Sequence, residues 1–192
     1  MSATTSVETP LYVLRRMHLA DVPQVAALDA ICFSAPWTAQ AYTFEISDNP
    51  HAYMIALVTP SAIPNQSEVV IGYGGMWLIE GEAHISTIAV RPADQGKGLG
   101  DVLLIAMLRR ALTQRAAYAI LEVRVGNATA IALYHKHEFV IVGRQKNYYR
   151  ETGEDAYLMH LAPLNDAYHA RLIERQTRLA ARLAYRDDLS AG

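Results

Sequence analysis

The segment with the clearest chemistry is a glycine-rich loop, Gln95-Gly96-Lys97-Gly98-Leu99-Gly100, which precedes a long apolar run. Glycine lets a backbone come close to a ligand, and the first turn of a following helix exposes free N–H groups at the positive end of its dipole. Such a loop can bind a phosphate or pyrophosphate, or it can simply join two elements. The P-loop pattern G-x-x-x-x-G-K-[ST] is absent. The dinucleotide-binding pattern G-x-G-x-x-G is also absent, because a copy that begins at Gly98 would need a glycine at the position of Leu103.

The elements that must hold this loop follow from hydrophobic periodicity and turn residues. The pattern predicts, in order, a strand, two helices, three strands, a helix, a strand, a helix and two strands. This order favours an α/β (α+β) fold with one mixed, mostly antiparallel central sheet, a parallel crossover in its middle, and flanking helices. The predicted elements cover residues 11–16, 20–33, a short stretch from 38, 52–59, 69–79, 82–90, 98–115, 118–125, 127–137, 139–149 and 155–161.

The chain divides into a central domain and two ends. Residues 1–10 are polar and are predicted to form a loose tail, residues 11–161 form one domain, and residues 162–192 form a C-terminal helical extension. In the extension, apolar residues and arginines fall on two separate helical stripes. The arginines are Arg171, Arg175, Arg178, Arg182 and Arg186. They form either a solvated face or a contact for an acidic partner.

Composition restricts the class of protein. The chain has 192 residues, of which 52% are hydrophobic and 19% charged, and its formal net charge is −2. These values are typical of a globular protein without a bulk attraction to nucleic acid, and no apolar run approaches the roughly 20 residues of a membrane helix. The single cysteine, Cys32, suits a reducing compartment, so we expect a cytoplasmic protein. The scattered histidines have no metal-ligand spacing, so we expect no metal.

Residues 85–100 (ISTIAVRPADQGKGLG) resemble the acetyl-CoA motif of the GCN5-related N-acetyltransferases (GNAT), whose loop pattern Q/R-x-x-G-x-G/A is met by Gln95, Gly98 and Gly100. Further motifs in the same order resemble the bacterial ribosomal-protein-alanine N-acetyltransferases of the RimI type. They are Ala35-Pro36-Trp37, Leu121-Glu122-Val123-Arg124, Asn127-Ala128, Ala130-Ile131-Ala132-Leu133-Tyr134, Asn147-Tyr148-Tyr149 and Glu154-Asp155-Ala156. The similarity extends over residues 11–161.

The resemblance implies a GNAT fold with acetyl-CoA as the co-substrate. In that family the strand before the loop diverges from its neighbour and binds the pantetheine arm, while the loop amides bind the pyrophosphate. The residues assigned to acetyl-CoA in this way are Ile88, Ala89, Val90, Gln95, Gly96, Lys97, Gly98, Leu99, Gly100, Asp101 and Asn127. Gly96 and Asp101 stand where the family often has basic residues, so we expect Lys97 to compensate for the missing positive charge.

Acetyl transfer requires an amine to lose a proton, a thioester carbonyl to be polarised and a thiolate to gain a proton. The resemblance assigns the first task to Glu122 and the last to Tyr134, with the Val90 N–H at the carbonyl oxygen. The residues alone leave two other interpretations open. Glu122 could be the solvent-facing residue of an alternating strand, and Tyr134 could be a packing tyrosine beside Leu133.

Trp37, Tyr148 and Tyr149 are the candidates for a substrate groove, although each could equally belong to the core. The resemblance implies a protein substrate, with the N-terminal alanine of a small-subunit ribosomal protein as the acceptor. Direct contact with nucleic acid or membrane is not expected. Two alternative functions remain open, namely an acetyltransferase for a small-molecule amine and a non-catalytic acetyl-CoA-binding module.

Overall fold

The computed structural model describes residues 12–61 and 68–189. The predicted tail, residues 1–10, and most of the Pro/Asn/Ser-rich segment before the third strand lie outside the described residues. The strands are β1 Tyr12–Arg16, β2 Ala52–Pro60, β3 Glu68–Ile79, β4 Glu82–Val90, β5 Tyr118–Arg124, β6 Val140–Tyr149, β7 Glu154–Leu161 and β8 Tyr185–Asp187. The helices are α1 Val22–Cys32, α2 Ala39–Ser47, α3 Leu99–Thr113, α4 Ala128–Lys136 and α5 Asp166–Ala180, besides short 3₁₀ turns at Leu19–Asp21 and Pro92–Asp94.

These strands form one sheet in the order β6-β7-β5-β4-β3-β2-β1-β8. β4 pairs parallel to β5, and β1 pairs parallel to β8, whereas the other neighbours are antiparallel. α3 lies in the crossover from β4 to β5, which two parallel neighbours require. The predicted mixed α/β fold, mostly antiparallel with a parallel crossover in its middle, is confirmed.

Each face of the sheet carries its own hydrophobic core because helices cover both sides. On one face α1 and α2 pack through Val25, Leu28 and Tyr42. On the other face α3 is buried along most of its length, and residues such as Leu103 and Met107 pack against the sheet and against α5. The long apolar run after the glycine loop is therefore a helix enclosed by protein, as its composition predicts.

β4 and β5 pair only at one end, which is the feature that makes room for a ligand. Their register is confined to three pairs, Glu82–Tyr118, Ala83–Ala119 and His84–Ile120. Beyond these pairs β4 keeps only β3 as a neighbour and β5 keeps only β7. The two strands therefore diverge toward the end of β4, as the family resemblance implies, and a wedge opens in the middle of the sheet.

The C-terminal segment packs onto the same body as the central domain. α5 buries Tyr168, Leu172 and Leu179 in the core that also contains α3. β8 is not predicted by the sequence pattern. It pairs with β1 and is followed by a hydrogen bond from Asp188 N–H to Leu14 O (2.9 Å). Three residues are too few to show a strand periodicity. Within the described ranges, no helix has the length and apolar character needed to cross a bilayer.

Candidate active site

Where β4 leaves β5, the end of β4, the glycine loop and α4 enclose a cleft of about 690 Å³. This size lies within the range of ordinary ligand pockets. The cleft brings together every residue that the resemblance assigned to acetyl-CoA, namely Ile88, Ala89, Val90, residues 95–101 and Asn127. Cys32 and Phe33, at the end of α1, and Arg182, which follows α5, complete the walls together with residues of α4.

The glycine loop has the backbone geometry of an anion-binding turn. Gly96 and Gly98 have φ values of 77° and 88°, a left-handed conformation that strains residues with a side chain. α3 begins at Leu99, and no side chain caps its first turn. The N–H groups of that turn therefore have no acceptor within the helix and are free to bind a ligand in the cleft.

The backbone of β4 presents polar groups to the cleft at Val90. Arg91 N–H donates to Ile71 O of β3 at 2.7 Å, whereas Val90 O accepts a hydrogen bond from Gln95 Nε2 at 3.0 Å. Successive residues of a strand direct their peptide groups to opposite edges. The Val90 N–H therefore also faces away from β3, toward the side on which β4 and β5 separate. Gln95 holds the loop against the strand.

The two acidic residues of the loop region are both paired with cations. Asp94 accepts from Lys97 Nζ at 2.7 Å, so the charge of Lys97 is shared with a carboxylate. Asp101 accepts from Lys136 Nζ at 2.7 Å and from the fully buried His137 Nε2 at 2.9 Å. Burial raises the pKa of Asp101, but these two hydrogen bonds outweigh it and hold the pKa below its usual range. Compensation by Lys97 for the missing positive charge stays a prediction, and Asp94 shares the charge of Lys97 in this structure.

α4 carries two further predicted site residues. Asn127 Oδ1 accepts from Ala130 N–H at 3.1 Å and caps the helix, as its residue type predicts. Tyr134 is only 5% exposed, and its ring packs against Phe139 with centroids 5.8 Å apart. Burial, followed by the nearby charge of Tyr149, raises the pKa of Tyr134 above its usual range. Tyr134 is thus a packing residue. Its phenol stays protonated and lies near Tyr149, another predicted site residue.

Glu122 forms a pair with His84, a residue that no sequence motif indicated as part of the site. Its Oε2 atom lies 2.7 Å from Nε2 of His84, on β4, and the two side chains are 21% and 23% exposed. Leu121 and Val123, its neighbours in β5, face the opposite side and are buried. Glu122 is therefore not simply a solvated residue of an alternating strand. It is half of a carboxylate–imidazole pair located where the two strands separate.

The His84–Glu122 pair predicts a pH-dependent contribution to stability. The hydrogen bond to Glu122 raises the pKa of His84 above 6.5, against the opposing effect of burial. A histidine whose pKa is raised on folding contributes stability fully below the unfolded-state pKa, and this contribution is lost as pH rises through the folded-state pKa. We expect His84→Gln to lower the free energy of unfolding by about 1 kcal/mol more at about pH 6 than at about pH 9.

Urea unfolding of both proteins at the two pH values measures this difference. His169→Gln is the matched control, because His169 is exposed on α5. The control should change the free energy of unfolding by the same small amount at both pH values. An equal loss of stability for His84→Gln at both pH values would contradict a charged pair.

A row of aromatic rings leads to the His84–Glu122 pair from the α1–α2 connection. Trp37 stacks on Trp77 of β3 with centroids 6.3 Å apart and an interplanar angle of 10°. Trp77 in turn contacts His84 edge to face at 5.4 Å. Trp37 therefore lies at the outer end of a continuous aromatic wall, and packs partly against the core as well.

Tyr148 and Tyr149 reach the same region from β6. The register of β6 against β7 shifts between Gln145 and Tyr149, and Asn147 in this bulge has a left-handed φ of 52°. Burial raises the pKa of Tyr148, and the charge of Glu122 raises it further, so the two side chains are electrostatic neighbours. Burial likewise raises the pKa of Tyr149 to about 12, with a smaller contribution from Glu122.

Comparison with known proteins identifies the architecture around this cleft. Residues 22–139 match the family model described as "Acetyltransferase (GNAT) family". The chain belongs to this family. It is an N-acetyltransferase by that membership, and the resemblance stated from its motifs is confirmed.

Relatives of this GNAT protein carry names of N-alpha-acetyltransferases or ribosomal-protein-alanine N-acetyltransferases. The chain is 33% identical to the putative [ribosomal protein bS18]-alanine N-acetyltransferase of Bacillus subtilis, over 76% of this chain and 92% of the relative. It is 34% identical to the N-alpha-acetyltransferase RimI of Mycobacterium tuberculosis, over 80% of this chain and 94% of the relative. Its fold is similar to the crystal structure of the ribosomal-protein-S18-alanine N-acetyltransferase from Escherichia coli, with a TM-score of 0.67 and 25% sequence identity. The similarity covers 79% of this chain and 94% of that chain.

Several residues of this GNAT site were missed from the sequence. His84, Trp77 and Arg182 belong to no recognised motif, and each reaches the cleft or the Glu122 region from a different element. The only signal in the sequence was an imidazole between the apolar residues Ala83 and Ile85 of a predicted strand, at His84. In the part of the chain that the structure describes, no three His, Cys, Asp or Glu side chains are grouped for a metal.

Proposed function

We propose that this protein transfers the acetyl group of acetyl-CoA to the N-terminal α-amine of a protein, the N-terminal alanine of a small-subunit ribosomal protein. The observation that carries the proposal is the position of the Glu122–His84 pair, where the wedge between β4 and β5 meets an aromatic wall. Residues 11–161 form the acetyltransferase domain in this proposal, and residues 162–192 are its extension. A cytoplasmic location belongs to the same proposal, because ribosomal proteins are made there.

The residues of the cleft fit acetyl-CoA, which supplies the acetyl group as a thioester. The free N–H groups at the start of α3 and the left-handed glycines suit the pyrophosphate. Ile88, Ala89 and Val90 present a strand edge that β5 has left unpaired, which suits the amide groups of the pantetheine arm. A side chain at Gly100 would be crowded, since an ideal Cβ would lie 3.2 Å from Leu133 Cδ2 and Leu133 would have to shift slightly.

Three groups of the chain carry the chemistry in this proposal. Glu122 accepts the proton of the substrate ammonium, directly or through water, and His84 holds the carboxylate in place. The Val90 N–H stabilises the negative charge that develops on the carbonyl oxygen. Burial raises the pKa of Tyr134, so its phenol keeps its proton, and the family resemblance assigns this phenol the protonation of the departing thiolate.

The surroundings of Glu122 favour a peptide over a small metabolite. Tyr148 is 39% exposed and Trp37 is half-buried, so the aromatic groups that flank the pair are open to solvent. A small-molecule amine would instead favour a closed acidic pocket. The binding-module alternative is weakened by the same pair, because a carboxylate held against a histidine beside the cleft has no role in simply retaining acetyl-CoA.

The test is a panel of acceptors incubated with the protein and acetyl-CoA, with release of thiol followed over time. The panel contains peptides that begin with Ala, Ser or Met, the Ala peptide with its α-amine blocked and a lysine inside, and a polyamine. We expect the free Ala peptide to be the best acceptor and the blocked peptide to be inactive, with mass spectrometry placing the acetyl group on the α-amine. Turnover of the polyamine or of lysine alone would reject the proposed acceptor, and no turnover with any amine would support a binding module.

A further inference from the structure

α5 ends beside the glycine loop. Leu179 is 2% exposed, and its Cδ1 atom lies 3.2 Å from where a Cβ would stand on Gly98. The chain turns there, because Arg182 N–H donates to Leu179 O at 3.1 Å. Both Leu179 and Arg182 lie outside residues 22–139, the segment that matches the GNAT family model. The extension therefore contacts the ligand-binding loop from outside the family domain.

The turn after α5 directs the Arg182 guanidinium into the cleft. Its Nη2 atom lies 3.8 Å from the ideal Cβ position of Gly98, and its side chain forms part of the cleft wall. Gly98 is the residue that precedes the first turn of α3, where the unbonded N–H groups are. Arg182 is thus located at the anion-binding end of the cleft and not at the Glu122 end.

Charge pairing leaves Arg182 as the available cation. Lys97 and Lys136 also line the cleft, but their Nζ atoms are 2.7 Å from Asp94 and Asp101 respectively. Among residues 12–61 and 68–189, Arg182 has no carboxylate partner. A guanidinium beside free backbone N–H groups matches the geometry of phosphate oxygens, which accept from both.

We propose that Arg182 binds the pyrophosphate of acetyl-CoA, so that the C-terminal extension supplies the positive charge that the loop lacks at Gly96 and Asp101. The inference rests on the proposed use of acetyl-CoA. It also gives Arg182, one residue of the arginine stripe, a role that neither a solvated face nor an acidic protein partner provides. Arg178, four residues earlier, lies near Glu174 at 3.8 Å, is 72% exposed and does not line the cleft.

Isothermal titration of CoA into the wild type, Arg182→Gln and Arg178→Gln tests the proposal. We expect Arg182→Gln to raise the Kd by about tenfold, as for the loss of one charge-assisted hydrogen bond at a partly exposed site. The difference should shrink in about 0.5 M NaCl, because salt screens the interaction. Arg178→Gln removes the same charge and should change the Kd less than about twofold. Arg182 is exposed, so unfolding curves of all three proteins should coincide.

A second titration with 3′-dephospho-CoA identifies the phosphate. An equal loss of affinity for both ligands in Arg182→Gln supports the pyrophosphate, whereas a loss confined to CoA would overturn that assignment in favour of the 3′-phosphate. Unchanged affinity for both ligands, or an equal loss in Arg178→Gln, would also overturn it. If the wild type bound no CoA at all, the proposed function itself would be wrong, and this outcome is distinct from a failure at Arg182.

Discussion

Replacing Glu122 with glutamine is expected to lower kcat for peptide acetylation by about 10²–10⁴-fold, the usual contribution of a general base. The amide keeps the size of the carboxylate and can still hydrogen-bond to His84, but it cannot accept a proton from the substrate amine. Steady-state rates with the preferred N-terminal peptide measure the effect. The Kd for CoA should stay within about twofold of the wild type, since Glu122 does not line the acetyl-CoA cleft.

Glu80→Gln is the matched control for this prediction. Glu80 is an exposed carboxylate at the turn between β3 and β4, so the variant makes the same chemical change away from the cleft. Its kcat and KM should equal those of the wild type. Wild-type turnover in Glu122→Gln would remove Glu122 from the mechanism, and a raised KM with unchanged kcat would make it a substrate-binding residue instead.

Replacing Asp29 with alanine is expected to lower the free energy of unfolding by about 3–5 kcal/mol, because three donors lose their acceptor at about 1–3 kcal/mol for each one left buried and unsatisfied. Asp29, on α1, is 2% exposed, and its carboxylate accepts hydrogen bonds from the hydroxyls of Tyr42 and Tyr73 and from Trp37 N–H. Its removal leaves three donors without a partner in a protein interior. For a chain of this length we expect the Tm to fall by roughly 10 °C.

Thermal and urea unfolding measure the effect, and Tyr73→Phe serves as the graded control. That variant removes one donor and leaves the carboxylate with two, so we expect a loss of about 1 kcal/mol. Because the Trp37 backbone is held by Asp29, Asp29→Ala should also raise KM for peptide at temperatures where the variant stays folded. A change in stability below about 1 kcal/mol would contradict the buried network.

The sequence by itself determined the order of the elements in the central domain and the identity of the family. Hydrophobic periodicity predicted the strands and helices of the central domain, because the core face of each element repeats in the chain. The loop from Gln95 to Gly100 was recognisable because its chemistry is local: its glycines, its backbone and the helix that follows are consecutive. The cap at Asn127 was predictable for the same reason, since a capping side chain binds the backbone three residues later.

Only the tertiary structure decided which distant side chains share the site. His84 and Glu122 lie 38 residues apart and meet because β4 and β5 become parallel neighbours before they diverge. Arg182 reaches Gly98 because Leu179 buries itself in the core beside α3. Such contacts depend on how apolar faces pack across the whole domain, and hydrophobic burial is non-directional, so no local pattern specifies them. In the role proposed for Arg182, the glycine loop receives its phosphate-binding cation from the turn after α5, outside the segment that matches the family model.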